Sequence, residues 1–559
     1  MREVVESIEV DAPDSNVAQT GEQAHAYYDG DDGSRWTVTE AIDASGFGRF
    51  QLMMLLFTGL AWMGDAMEMM LLSFLGPSVR CEWGVSPQQE GRLTSVVFVG
   101  MLFGAPTWGV VADARGRRVA FFATTVITFV AGLVSAFSPS FGFLLFARTL
   151  VGFGLGGVPT AFALFMEFLP AGNRGKWLVA IEVFWTLGSV IGAGFAWAIL
   201  PRQSWRVLLL ASTAPLALLL CVMWIVPESP YYLAAKGDSA GAAETLRRVS
   251  RANGRDGRLP RGVLKMPARA ETSTLSGGVS RSVVDDTSVE NDGDKSALAL
   301  WMRTTLVHLA KPFGTVRATL SAKHRTLTLM LWFIFFAVAF LYYGVVLLTT
   351  EIHVDAAPGR MEGGGVRGGD DALRCTGHGS PDVSGRAFLD IFVSAAAELP
   401  GLAFCALALD AGRLGRRRTL GSSLVVAAAC VLVLTGHRAI APAAEASALA
   451  AARCFAMAAF TALYVYAPET QPTATRATAL GVGNAFARLG GMLTPLFAVE
   501  MAGNGNLAAA AACFAALAAV TAGVAFALPV ETAGVDLDAD LGDRPGGDAR
   551  AGDVELVAT

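Results

Sequence analysis

Residues 109–118 read GVVADARGRR, and residues 410–418 read DAGRLGRRR. Each stretch follows a long apolar segment and combines an aspartate and glycine with a cluster of arginines. The two stretches lie about 300 residues apart, and other short patterns recur at a similar offset. For example, a glutamate precedes an arginine by seven residues in both 167–174 and 469–476. The sequence therefore consists of two halves that repeat one pattern.

The composition indicates a membrane protein with several spans. Of the 559 residues, 53% are hydrophobic and 16% are charged, whereas a soluble protein carries about 25% charged residues. Apolar stretches of about 20 residues can cross roughly 30 Å of hydrocarbon as helices. Twelve such stretches are present, at 51–79, 92–112, 119–137, 141–168, 177–200, 205–226, 326–350, 387–409, 419–436, 444–466, 477–499 and 505–528. We therefore predict an all-α membrane protein with twelve transmembrane helices in two six-helix bundles.

The short loops predict the orientation and the order of segments. Ten lysines and arginines lie in the loops of one side and five in those of the other, and excess positive charge marks the cytosolic side. Both termini are thus expected in the cytosol. The predicted segments are a cytosolic acidic tail (1–50), a first bundle (51–226), a partly disordered cytosolic linker (227–325), a second bundle (326–528) with an outer loop (351–386), and a cytosolic acidic tail (529–559). Within the linker, SAGAAETLRRVSRANG (239–254) predicts a surface helix.

The repeated charged loops are candidates for gating. Arginine side chains can dock on carboxylates and on the carbonyl ends of helices, and such contacts can form and break as two bundles rock. The simpler interpretation is that these arginines only set the topology, but their repetition in both halves favours gating. The candidate gating residues are Asp113, Gly116, Arg117, Arg118, Glu167, Arg174, Asp410, Arg413, Arg416, Arg417, Glu469 and Arg476.

Charged residues inside the predicted spans are candidates for transport chemistry. A charge in the middle of a span costs roughly 3 kcal/mol on insertion scales, so it needs a partner, a cavity or a proton. Asp65 and Glu68 share one helix face because they are three residues apart, and Arg148 lies in the fourth span. They can carry a proton or form a static structural pair, and Glu68 can equally bind substrate. The candidates for the substrate cavity are Glu182, Glu398, Arg488, Trp62, Trp185, Tyr342 and Tyr343.

Several motifs resemble the major facilitator superfamily of transporters. They include GVVADARGRR after the second span, RTLVGFGLGG in the fourth, and YAPETQPTATR after the tenth. GLAWMGDAMEMM, CEWGV, IEVFWTLG and LYYGVVLLTTE are similar to the branch of synaptic-vesicle-2-related proteins, which are kin of synaptic vesicle glycoprotein 2 and of organic-ion and sugar porters. The resemblance implies that an aspartate of the first span faces an arginine of the fourth, as Asp65 and Arg148 would.

The sequence departs from the family pattern at two loop positions. Ala114 stands where a basic residue is usual, and Asp410 lies two residues too far upstream of Arg413. These departures keep a second interpretation open. The first is a secondary active transporter of a small organic solute, working by alternating access with proton coupling; the second is a transporter-like receptor that moves no solute. The excess of acidic groups favours a cationic or zwitterionic ligand.

The remaining predictions concern partners, cofactors and cysteines. We expect a monomer in a vesicle or plasma membrane, with a small solute, protons and lipid as its partners and with no nucleic acid. The six histidines show no metal spacing and no catalytic arrangement stands out, so neither metal, cofactor nor enzyme activity is expected. Of seven cysteines, only Cys81 and Cys375 fall in predicted outer connections. They predict a disulfide, with two free thiols as the alternative.

Overall fold

The computed structural model describes residues 35–170, 174–255, 259, 263–264, 320, 325–355, 375–376, 383–410, 414–436, 439–471, 476–502 and 504–532. Side chains are outside this description at 35, 171–176, 178, 263, 354–355, 410 and 472–478. The predicted site residue Arg413, most of the linker and nearly all of the acidic tails lie outside it as well.

Twelve helical spans follow one another in two sets of six. Spans 1 to 6 are Arg49–Trp83, Pro87–Arg115, Arg117–Ala136, Phe141–Leu155 with Pro159–Met166, Arg174–Ile199, and Trp205–Ser212 with Ala214–Val222. Spans 7 to 12 are Arg325–Asp355, Gly385–Ala396 with Glu398–Asp410, Gly415–Val433, Pro442–Thr470, Arg476–Pro495 with the π-helix Leu496–Met501, and Leu507–Phe526. Among the described helices, eleven are long and apolar enough to cross a membrane, and span 11 is the one less apolar. The predicted fold class is confirmed.

Local chemistry explains where several spans begin. Ser86, Ser140, Ser204 and Ser384 each stand before a helix and accept a hydrogen bond from one of its first backbone N–H groups. Such caps satisfy donors that the helix itself leaves without a partner. The boundaries of spans 2, 4, 6 and 8 are therefore set by the sequence directly.

The glycine motif GFGLGG (152–157) brings span 4 against span 2. A Cβ atom added to Gly152 would collide with the Val97 carbonyl oxygen, and one added to Gly156 would lie 2.7 Å from the Met101 carbonyl oxygen. Small residues allow membrane helices to approach this closely. The motif therefore serves helix packing, which agrees with its position inside an apolar span.

The two halves meet mainly along three pairs of spans, and span 5 also contacts span 10. Span 1 packs against span 7, span 2 against span 11, and span 5 against span 8. One apolar core continues across this boundary and includes Leu71, Phe74, Val338 and Phe340. The arginine face denotes the end of the bundle that carries Arg117 and Arg416, and the disulfide face is the opposite end, where span 1 ends and span 2 begins.

A small folded unit lies beyond the spans on the arginine face. Strand β1 (Arg35–Trp36) pairs in parallel with strand β2 (Val263–Leu264), and helix α1 (Val38–Ser45) packs near helices α2 (Pro230–Lys236) and α3 (Ser239–Ala252). Their shared core includes Trp36, Ile42, Ala234, Leu246 and Leu264. The predicted surface helix at 239–254 is confirmed. Residues 35–50 were predicted as tail, but they are folded because this apolar face is buried.

Candidate functional site

Two buried ion pairs lie in the middle of the protein, one in each half. The Arg148 guanidinium donates to Glu68 at 2.6 Å, and each side chain is 1% exposed. The Arg453 guanidinium donates to Glu398 at 2.7 Å, with side chains 1% and 0% exposed. Charges of opposite sign thus neutralise each other at buried positions, and the two partners of each pair belong to the same half.

The expected pairing of Asp65 with Arg148 is wrong in this structure, since Glu68 takes that place. Span 4 begins on the disulfide face, and Glu68 lies one helical turn nearer to that face than Asp65 does. Its side chain is also longer by one methylene group. The Ser212 hydroxyl donates a second hydrogen bond to Glu68 at 3.3 Å. Glu68 is therefore held by partners within its own half.

Asp65 faces the other half of the protein instead. Its side chain is 5% exposed, and the cation that acts on it is Arg488 of span 11. The Oδ1 atom of Asp65 is buried without a hydrogen-bond partner among the described residues. Arg488 is half-buried, and the Tyr343 hydroxyl acts on it electrostatically. Asp65 and Arg488 thus attract each other across the boundary of the halves without forming a direct ion pair.

Aromatic side chains lie next to Asp65 and Arg488 along the boundary of the halves. The Trp62 indole donates to Glu182 at 3.2 Å, and its ring centroid lies 5.9 Å from that of Trp185. The Trp185 indole donates to the Tyr342 hydroxyl at 2.6 Å, and that hydroxyl donates to Glu398 at 2.8 Å. A chain of hydrogen bonds therefore runs from span 5 across to the second half.

The residues at this boundary form the central seam, which we define as Trp62, Asp65, Glu182, Trp185, Tyr342, Tyr343 and Arg488. Tyr343 completes it by packing edge-on against Phe98, with ring centroids 4.8 Å apart. All seven were candidates from the sequence, and the structure brings them together. The two buried ion pairs lie beside the seam and contain the remaining candidates Glu68, Arg148 and Glu398.

The gating candidates form matching networks on the arginine face. Arg117 donates to Asp113 at 2.7 Å, to Glu167 at 3.3 Å and to the Ala112 carbonyl at 3.0 Å. In the second half, Arg416 donates to Glu469 at 3.2 Å and to the Leu409 carbonyl at 2.8 Å. Each network stays within its own half. The arginines therefore tie loops to helix ends inside each half in this conformation.

The sequence predictions missed two glutamates of these networks, although Pro227-Glu228 and Pro529-Val530-Glu531 recur at the ends of the two halves. Glu228 accepts hydrogen bonds from the backbone N–H groups of Arg117 at 2.9 Å and Arg118 at 3.2 Å. Glu531 accepts from those of Arg416 at 2.8 Å and Arg417 at 3.2 Å. Each carboxylate thus caps the first turn of the third span of its half, where an anion is stabilised by the helix dipole.

Two glycines make room for these caps. Gly116 has φ 109° and Gly415 has φ 66°, in the region that side chains other than glycine rarely adopt. A Cβ atom on Gly116 would collide with Glu228, and one on Gly415 would lie 2.7 Å from the Glu531 carboxyl carbon. Glycine is therefore needed at this position of the loop motif, because a side chain would collide with the glutamate that caps the helix.

The remaining gating candidates are placed less completely. Arg118 donates to the Trp224 carbonyl at 3.1 Å and Arg417 to the Leu528 carbonyl at 2.5 Å, so both hold the end of a neighbouring span. Burial raises the pKa of Glu167 above its ordinary value, although the Ser229 hydroxyl and Arg117 oppose this rise. Asp410 ends span 8, Arg174 begins span 5 and Arg476 begins span 11, but their side chains lie outside the described atoms.

On the disulfide face the halves are joined by polar and covalent contacts. The structure joins Cys81 to Cys375, with Cα atoms 5.6 Å apart. The neighbouring Arg80 contacts Glu90 at 2.7 Å and Glu351 of span 7 at 3.5 Å. Other bonds on this side run from Gln88 to Glu500 at 2.8 Å and from Ser95 to the Met492 carbonyl at 2.9 Å.

No group of three or more histidine, cysteine, aspartate or glutamate side chains suited to a metal ion occurs in the part of the chain that the structure describes. The central seam offers carboxylates, one guanidinium and aromatic rings. Such a set can bind an organic ion at the boundary of the two halves, and nothing in it resembles a nucleophile with its base.

Comparison with known proteins places this geometry among transporters. The chain matches the Sugar (and other) transporter family over residues 45–283 and 401–539. It is 40% identical over 511 residues to organic cation/carnitine transporter 7 of Arabidopsis thaliana, covering 91% of this chain and 97% of that protein. It is 34% identical over 516 residues to the synaptic vesicle 2-related protein of Rattus norvegicus, covering 89% of this chain and 81% of that protein.

Solved structures show the same fold at low sequence identity. A partially occluded inward-open form of the xylose transporter XylE from E. coli matches with a TM-score of 0.62 and 13% identity, covering 86% of this chain and 98% of that chain. The nucleoside transporter NupG matches with a TM-score of 0.54 and 14% identity, covering 85% and 100%.

Proposed function

We propose that this chain, which belongs to the sugar (and other) transporter family of the major facilitator superfamily, moves a small organic cation across its membrane by alternating access. It is a multi-pass membrane protein, and its family and relatives are transporters and not enzymes. The observation that carries the proposal is the central seam, where Asp65 of one half faces Arg488 of the other at mid-depth. Substrate sites of carriers built from repeats lie at such a boundary near the midplane.

The substrate class rests on charge and on similarity. The acidic groups of the spans outnumber the cations, which favours a positively charged ligand. The relative that is 40% identical over nearly the whole chain is named an organic cation/carnitine transporter. Sugar carriers share the fold, but at 13% identity they support no assignment of substrate.

The contacts between the halves support one orientation of the cycle. They cluster on the disulfide face and at mid-depth, in the Arg80–Glu351 contact, the Gln88–Glu500 bond and the Trp185–Tyr342 bond. We take the arginine face as cytosolic because positive loops lie on that side. The conformation is then closed on the side opposite the cytosol, and the substrate would leave towards the cytosol. In this orientation both termini lie in the cytosol, and the membrane is that of a vesicle or the plasma membrane.

The departures at Ala114 and Asp410 had favoured a receptor that moves no solute. Arg117 and Arg416 nevertheless bind Glu167 and Glu469, and both third spans carry their glutamate caps. These contacts match between the halves, as a rocking carrier needs, so we favour transport, with protons as the second ion.

Uptake into proteoliposomes tests the proposal. Purified protein would be reconstituted and given labelled tetraethylammonium, carnitine or xylose, with and without a pH gradient. We expect a cation to accumulate and xylose to remain at the level of empty liposomes. Saturable binding of a cation without any uptake under either gradient would instead establish the receptor.

A further inference from the structure

We infer that Glu182 is the site where a cationic substrate and a proton exchange, so that the protein is a cation–proton antiporter. The inference rests on the proposed function and names the residue and the coupled ion within it. The ionisable groups halfway along the spans are not balanced in charge. Four carboxylates lie there, on Asp65, Glu68, Glu182 and Glu398, against three guanidiniums, on Arg148, Arg453 and Arg488.

Two of the carboxylates bind a guanidinium directly, and a third is attracted by one. Glu68 binds Arg148 at 2.6 Å, and Glu398 binds Arg453 at 2.7 Å. Asp65 is opposed by Arg488 across the seam. One carboxylate of this set, that of Glu182, is left over.

The surroundings of Glu182 supply no positive charge among the described residues. Its hydrogen-bond donor is the neutral Trp62 indole, at 3.2 Å. The ionisable groups that face it from the second half are Tyr343 of span 7, Glu398 and Cys405 of span 8, and Tyr464 of span 10. None of these groups is a cation, and Glu398 repels a charge on Glu182.

A buried carboxylate in such surroundings is unfavourable as an isolated anion. The Glu182 side chain is 4% exposed, and the cost of burying an uncompensated charge is removed when the group gains a proton or a positive partner. A bound cation and a bound proton are therefore alternatives at the same oxygen atoms. This mutual exclusion is what couples two opposite fluxes.

The aromatic rings near Glu182 are suited to contact an organic cation. Trp62 is half-buried, and its ring lies 5.8 Å from Phe162 and 5.9 Å from Trp185. Aromatic faces attract onium groups within about 6 Å, and indole does so best. The site therefore suits an ammonium or quaternary ammonium group better than a neutral sugar.

The exchange step balances in atoms and charge. As the cation enters, the O–H bond of the Glu182 carboxyl breaks and the proton leaves to the solvent on the open side. After the halves rock, the cation leaves and a proton from the other side forms the O–H bond again. A monovalent cation thus crosses against one proton, with no net charge moved.

The first test measures proton release on binding. Calorimetric titration of tetraethylammonium into the purified protein, in buffers of different ionisation enthalpy, reports the protons released per cation. We expect up to one proton for the natural protein and none for Glu182→Gln, which keeps the shape and an acceptor for Trp62. Over the pH range where the carboxyl is protonated, the affinity of the natural protein for the cation falls about tenfold for each unit by which the pH is lowered. The variant shows no such dependence. Glu244→Gln, at an exposed glutamate of helix α3 outside the spans, serves as the matched control and retains the proton release.

A second measurement covers the case in which Glu182→Gln does not fold. A hydrophobic carbodiimide modifies protonated carboxyls in apolar sites, and peptide mass mapping of the natural protein locates the adduct. We expect an adduct on Glu182 that tetraethylammonium prevents. A folded Glu182→Gln protein with undiminished proton release, or an adduct on Glu182 that the cation does not prevent, overturns the inference. If the natural protein binds and transports no cation at all, it is the proposed function that fails.

Discussion

Arg148 binds Glu68 at 2.6 Å, and Asp65, one helical turn away on the same span, faces Arg488 of the other half. Two carboxylates that look equivalent in the sequence therefore have different roles. Glu68 holds spans 1 and 4 of the first half together. In the alternating access proposed above the halves part at Asp65, so we expect its interaction with Arg488 to change with conformation while the Glu68 pair persists.

We predict that Glu68→Gln destabilises the protein far more than Asp65→Asn does. Removing one partner of a buried ion pair leaves an uncompensated charge and costs about 3–5 kcal/mol. Thermal unfolding of the purified variants, followed by intrinsic fluorescence in one detergent, measures the difference. Equal losses of stability in the two variants would show that Arg148 is not held by Glu68.

We predict that Arg117→Ala slows transport about tenfold, which corresponds to roughly 1.4 kcal/mol in the rate-limiting barrier. The substitution removes the bonds to Asp113, Glu167 and the Ala112 carbonyl. Arg115→Ala is the matched control, because Arg115 is an exposed arginine of the same loop. Initial rates of cation uptake compare the two. If both variants transport at the natural rate, the loop arginines only mark topology.

We predict that Glu228→Ala and Glu531→Ala each destabilise the first turn of a span, by about 0.5–2 kcal/mol for the lost cap. We expect faster backbone hydrogen exchange at the start of span 3 in the first variant and at the start of span 9 in the second. Glu228→Gln should lie between alanine and the natural residue, because an amide oxygen still accepts a bond. Unchanged exchange in both alanine variants would contradict the capping role.

We predict that Asn253→Ala detaches the small unit on the arginine face from span 1. The Asn253 amide accepts from the Phe50 N–H at 3.0 Å and donates to Gln51 at 2.8 Å and to the Ser45 and Gly46 carbonyls at 3.1 Å. Each such bond contributes about 0.5–1.5 kcal/mol. Hydrogen exchange of helix α1 should rise in the variant, and less in Asn253→Asp, which keeps the acceptor. Helix α1 protected equally in all three proteins would disprove the docking role.

We predict that Cys81 and Cys375 are linked in the protein as it is made. Peptide mapping under non-reducing conditions, after alkylation of free thiols, should recover one linked pair of peptides. Separate alkylated peptides for the two cysteines would show that the thiols are reduced. Cys221, which is exposed and free in the structure, is the internal control for alkylation.

The sequence by itself determined the twelve spans, their division into two halves and the repeated loops. Hydropathy over 20 residues and a repeat of about 300 residues are properties of the chain order, and the bilayer fixes the length of a span. The surface helix at 239–254 could be recognised in the same way, from its local pattern.

Only the tertiary structure decided which charges meet. The partner of Arg148 depends on the depth and rotation of spans 1 and 4, and a shift of three residues, about 4.5 Å along the helix, exchanges Asp65 for Glu68. The Asp65–Arg488 attraction and the glutamate caps join residues more than a hundred positions apart. No local pattern encodes such distances, because they follow from how twelve helices pack.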